Sequence, residues 1–117
     1  MINKKGDTIF EKIINKEIPA DIIYEDDNCM AFKDINPVAP THILLIPKKH
    51  LAKIGDATEQ DEHMLGQLMT RISIITNKLN INDNFRVIIN NGAKAGQTVF
   101  HLHLHIISGR EMNWPPG

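Results

Sequence analysis

The chain has 117 residues, 42% hydrophobic and 23% charged, which suffices for one domain with a real core (1–117) and not for two. Its 13 basic and 14 acidic side chains leave a formal net charge of −1, which excludes the cation excess that tracks a nucleic-acid backbone. The single cysteine, Cys29, excludes an internal disulfide and the cysteine-rich zinc modules, and fits a reducing compartment.

The opening MINKKGDTIF carries lysines but no apolar stretch of the length a secretion signal needs. The longest apolar run, ILLI at 43–46, is far too short to span a bilayer, so a cytoplasmic protein without a membrane partner is expected. Thr8 and Glu11 have the spacing of a capping box, and Ile9, Phe10, Ile13 and Ile14 follow at helical intervals, predicting a short helix to about Lys16 that Pro19 ends. Alternating or apolar segments at 21–24, 29–34 and 42–46, separated by EDDN and by NPVAPT, predict three strands.

After Thr58, the residues Leu65, Leu68, Ile72, Ile75 and Leu79 recur in steps of three and four, predicting a long helix over about 59–79 with one apolar stripe. Arg86 to Asn90 reads as a fourth strand, NNGAKAGQ as a loop, and the segment from Thr98 onward as a fifth strand. The order αβββαββ implies an α+β domain: a five-stranded antiparallel sheet with one short and one long helix, the long one covering one side.

The fifth strand reads TVFHLHLHIISGR, with imidazoles at 101, 103 and 105. A strand sends alternate side chains to opposite faces, so the three rings are expected on one face about 6.6 Å apart, with Leu102, Leu104 and Ile106 on the other. Such a row gains little packing that Thr or Val would not supply, which leaves two chemical uses. A metal is one: His101, His103 and His105 with His42, His50 or Cys29 brought in by the fold, although no nearby residue completes a ligand set. Nucleophilic catalysis is the other: a neutral ring attacks phosphorus through one nitrogen while a carbonyl holds the other N–H, and flanking rings manage charge and the leaving-group proton. His103, the middle ring, is the natural nucleophile. The preceding loop carries Gly92 and Gly96, whose backbone amides can approach an anion closely, and Thr98 adds a hydroxyl.

The run His101, Leu102, His103, Leu104, His105, Ile106, Ile107 is the pattern of the histidine triad superfamily. DTIFEKIINKEIPADIIYEDD, AFKDINPVAPTHILLIPKKH, AGQTVF and GREMNWPPG resemble the Hint branch, the histidine triad nucleotide-binding proteins, over nearly the whole chain. The resemblance implies a homodimer with joined sheets, no metal or other cofactor, and a purine nucleoside monophosphate or phosphoramidate as small-molecule partner. It also implies hydrolysis of nucleoside 5′-phosphoramidates, such as adenosine monophosphoramidate or lysyl-AMP, through a nucleotidyl-histidine.

Carried over by motif, His103 is the nucleophile, His105 contacts phosphate and leaving group, and His101 and His42 support the site. Asp34 matches the ribose-binding acid and Ile35 its neighbour at the base; Asn90, Gly96, Gln97 and Thr98 match positions around the phosphate. Trp114, in a tail that composition alone would call a frayed end, matches a contact to the partner protomer's site. Ala95, Thr98 and Ser108 depart from residues common in relatives, which bears on substrate range. Two alternatives remain at this point: a dinucleoside polyphosphate hydrolase, and a nucleotide-binding interaction module whose hydrolysis is incidental.

Overall fold

The structure, a computed structural model, describes residues 8–117. Residues 1–7 of the opening stretch read above for a secretion signal lie outside them. Thr8 caps a short helix, α1 (Ile9–Ile14), its hydroxyl accepting from the Glu11 amide at 3.1 Å. The helix is shorter than expected, because the chain turns at Lys16, which takes a left-handed φ of 63°, before Pro19 is reached.

Five strands follow, β1 (Ile22–Glu25), β2 (Cys29–Lys33), β3 (Thr41–Pro47), β4 (Arg86–Ile88) and β5 (Leu104–Ser108), in the order β1-β2-β3-β5-β4 with every neighbouring pair antiparallel. The long helix, α2 (Glu62–Lys78), begins three residues later than its apolar stripe suggested. A 3-10 turn at Glu59–Asp61 precedes it, closed by a reciprocal cap between Thr58 and Asp61.

Alternation along the central strands divides the core in two. Cys29 and Ala31 of β2, Ile43 and Leu45 of β3, and Leu104 and Ile106 of β5 face α2, where Leu68 and Ile75 are fully buried and Leu65, Ile72 and Leu79 flank them. Met30, Phe32, Leu44 and Ile46 face the other way and are covered by Phe10 and Ile13 of α1. The sheet is therefore packed on both sides, where only the long helix was expected to cover it. Asp26 ties α2 to the β1–β2 turn: its carboxylate accepts from Tyr24 Oη at 2.6 Å, Arg71 Nε at 2.7 Å and the amides of Asn28 and Cys29.

One expectation needs correction. The histidine strand begins at Leu104, so only His105 lies within β5, while His101 and His103 precede it. The cause is Pro47, which has no N–H to carry the β3–β5 ladder past Leu45 and Leu104. Residues 101–103 stay extended by another route, with the Leu102 amide donating to the Leu51 carbonyl at 2.6 Å. No helix among the described residues is long and apolar enough to cross a membrane.

Leu68 is fully buried between α2 and the sheet, so Leu68→Ala is expected to lower unfolding free energy by about 3 kcal/mol in urea titrations. A loss under about 1 kcal/mol would mean that the helix–sheet contact is loosely packed.

Candidate active site

His103 and His105 stand side by side, ring centroids 5.1 Å apart, in a cleft of about 290 Å³. The cleft is mostly apolar: Phe10 and Ile13 of α1 and Phe32 and Leu44 of the sheet form its inner wall. The Phe10 ring lies edge-on to His103 at 5.0 Å. Asp34, Ile35 and Thr98 complete the rim, with Ile35 89% exposed.

Hydrogen bonds fix which nitrogen of each ring carries the proton. His103 Nδ1 is 2.8 Å from the His101 carbonyl, which can only accept, so Nδ1 bears the hydrogen and Nε2 is left with a lone pair. The Val38 amide donates to His42 Nδ1 at 3.1 Å, so the His42 proton is on Nε2. That proton points at His105 Nδ1, 2.9 Å away, and His105 must therefore carry its own hydrogen on Nε2. The two cleft rings are complementary: His103 offers an electron pair and His105 a proton.

Burial keeps these rings uncharged. Desolvation lowers the proton affinity of His42 and of His103, and drives His105 down to about 4, where His103 and His42 beside it add to the effect. Asp34 opposes the shift at all three. Its carboxylate accepts from the Asn36 amide at 2.8 Å and approaches His42 Nε2 at 3.4 Å.

Leu102, Leu104 and Ile106 pack on the α2 side, opposite the three rings, but the rings differ in their settings. His101 is fully buried behind His103, its Nε2 donating to the Pro47 carbonyl at 2.7 Å, and it acts on the site through its own carbonyl. His42, diagonal to His105 across the β3–β5 pair, is the third ring of the hydrogen-bonded group. In the 90–98 loop, Gly92 and Gly96 take left-handed φ values of 94° and 97°. Gln97 is buried, its amide bonded to the Gly92 amide and to the carbonyls of Ala52 and Val99, so its side chain holds the loop. Asn90 lies against Gly96 and, with Trp114, lines a separate cleft over β4 and β5. Trp114 is 82% exposed.

Sequence reasoning missed Glu11 and the Val38 amide. Glu11, expected to return the capping bond, instead aims its carboxylate at His101 Nδ1, 3.5 Å away, and at His50 Nδ1, 3.9 Å away. Both nitrogens are buried and lack hydrogen-bond partners. An acid on a helix whose neighbours Phe10 and Ile13 are core residues was the available signal. Of the residues considered as metal ligands, Cys29 is excluded: it faces α2, across the sheet from His42, and its thiol is pushed up to about 11 by burial, whereas His50 stands beside His101 and His42 beside His105.

A HIT domain model matches residues 15–112. The chain belongs to the HIT domain family. Within it, the chain is 60% identical to a HIT-like protein of Synechocystis sp. over 95% of this chain and 97% of that one. It is 47% identical to the 14 kDa zinc-binding protein of Zea mays over 94% and 88% of the two chains. A HIT family hydrolase from Legionella pneumophila superimposes with a TM-score of 0.92 at 42% identity, covering 95% of this chain and all of that one. The HIT fold follows for this chain.

Because the unfolded chain takes up protons on histidine near pH 6.5 and these buried rings do so only lower, stability is full above that pH and falls as the pH drops toward about 4. Thermal unfolding followed across this window is expected to show a steadily falling Tm. A Tm independent of pH there would mean that the rings are solvated in the folded state.

Proposed function

We propose that this chain hydrolyses purine nucleoside 5′-phosphoramidates, such as adenosine 5′-monophosphoramidate or lysyl-AMP, releasing AMP or GMP through a nucleotidyl-His103 intermediate. The observation that carries this reading is the opposed protonation of neighbouring rings, a bare Nε2 on His103 beside an N–H on His105.

In the first step the His103 Nε2 lone pair forms a bond to phosphorus and the P–N bond breaks. The departing amine takes the proton of His105 Nε2 as solvent delivers one proton to the His42–His105 pair, so that neither ring is left as an anion and the 2.9 Å bond between them is kept. As His103 attacks, its Nδ1–H bond to the His101 carbonyl stabilises the growing positive charge on the ring. Water then attacks phosphorus and gives up one proton to solvent through His105, the P–Nε2 bond breaks, and AMP leaves with the water oxygen. A ring that stays neutral near pH 7 is always available as the nucleophile, which burial of His103 secures.

The remaining roles follow the cleft. The Asp34 carboxylate at the rim accepts the two hydroxyls of a ribose, and Ile35 lies under the base. The inner wall of Phe10, Ile13, Phe32 and Leu44 offers no side chain that reads the edge of a base, which supports tolerance among purines. Thr98 and the backbone of Gly96 and Gln97 serve the phosphate, and Asn90 braces Gly96. Trp114 does not enter its own chain's histidine cleft, which supports a role at the cleft of a second copy in a homodimer.

Glu11, His50 and His101 fit a zinc-like cation: they place three ligand atoms within 4.8 Å of one another, and two of these are unpartnered ring nitrogens. An ion held there would supply a cross-link between α1 and the segment before β5. Asp34, His42 and His105 also converge, but the bond between the two rings uses the nitrogens that a metal would need.

His103→Ala is expected to leave folding and AMP binding near wild type and to lower turnover of an adenosine phosphoramidate about a thousandfold or more. Wild-type turnover is expected to persist in chelator. Comparable turnover in the variant would exclude the nucleophile, and loss in chelator with rescue by zinc would make the chemistry metal-dependent. Removal of residues 114–117 is expected to change the preference among amine leaving groups more than the Tm; an unchanged preference would separate the tail from the site.

A further inference from the structure

We propose that Arg110 is a positioning residue for the histidine relay, acting through the Val38 segment and His42 on His105. The proposal rests on the catalytic reading above.

Arg110 lies just past the end of β5 and donates from Nε to the Val38 carbonyl at 2.9 Å. The Val38 amide, on the other side of the same residue, is the donor that holds His42 Nδ1. Burial does not fix Val38, whose residue is 58% exposed. Its position is set by its buried neighbour Ala39, by Pro37 and Pro40 on either side with their restricted φ, by the Arg110 guanidinium, and by Gly109. Gly109 has a φ of 100°, and a Cβ there would stand 2.8 Å from Pro40 Cβ, so the chain after β5 lies directly against the loop.

The chemical consequence runs through the proton on His42. With the Val38 amide in place, His42 Nδ1 accepts and its Nε2–H points to His105. If the loop swings away, Nδ1 loses its donor and the ring can carry its proton there instead. A bare His42 Nε2 would then face His105 Nδ1, which would have to hold the proton between them. The Nε2 of a neutral His105 would be left without the hydrogen that the leaving amine takes. The Asp34 carboxylate, 3.4 Å from His42 Nε2, also favours the working tautomer, so removing Arg110 weakens the arrangement rather than abolishing it.

The test compares full-length wild type, Arg110→Ala and Arg110→Lys. Two readouts are needed: steady-state hydrolysis of an adenosine 5′-phosphoramidate, and proton–nitrogen correlation spectra of the histidine rings in ring-labelled protein. Arg110→Ala is expected to lower kcat about tenfold, leave KM and AMP affinity within about twofold, and turn the single His42 tautomer into a mixture. Arg110→Lys, which keeps a donor, is expected to recover part of kcat and of the single tautomer. An unchanged tautomer, an unchanged kcat, or a loss of AMP affinity as large as the loss of kcat would each overturn the proposal. If wild type hydrolyses no phosphoramidate, the catalytic reading fails separately. The His42 spectrum then decides the clamp: a mixture in Arg110→Ala upholds it, and a single tautomer overturns it.

Discussion

A neutral imidazole has one nitrogen that donates and one that accepts, and when the ring is buried its surroundings decide which is which. Here that decision is made by backbone groups at both ends of the site. The carbonyl of His101 holds the proton of His103 on Nδ1, and the amide of Val38 holds that of His42 on Nε2, which in turn sets His105. Backbone groups do not titrate, so the pattern persists for as long as the chain segments keep their places. The apolar surroundings contribute by excluding the charged form of each ring.

The fold supplies those places through ordinary packing. The β3–β5 pairing sets Leu44 opposite His105 and Ile107 opposite His42, which puts the two rings on one face, while Leu104 and Ile106 anchor β5 into the α2 side of the core. Pro47 interrupts the ladder where the histidine segment begins, and its freed carbonyl then accepts from His101. A residue that cannot continue a sheet thus separates a structural histidine from the one that faces the cleft. The orientation of His103 depends on this departure from regular structure.

Much of the architecture was legible because it rests on periodicity. The stripe at Leu65, Leu68, Ile72, Ile75 and Leu79, the alternation in β2 and β3, and the leucines between the histidines each reported a buried face that the structure contains. The α+β class and five antiparallel strands followed from these. The start of β5 was misread because Val99 and Phe100 have strand-forming side chains, while the cause of its lateness lies some fifty residues away at Pro47. His103, His105, Asp34, Ile35 and Thr98 were identified by motif and share one cleft. The tautomers were not legible, since they depend on a main-chain amide in a proline-bracketed loop, and an amide leaves no mark in a sequence. Glu11 was read by its local helix-capping role, and its long-range contact to His50 and His101 outcompeted that role.

The cleft wall on the α1 side has a different character from the rest of the site. β2, β3 and β5 are held by ladders on both sides, whereas α1 is six residues long, too short to persist by its own hydrogen bonds in water. Its place is held by Phe10 and Ile13, the same side chains that bound the ligand space. Opening the cleft and loosening this helix are therefore one event in energetic terms. A ligand that fills the space against Phe10 would also slow amide exchange in α1, so that occupancy and local order rise together.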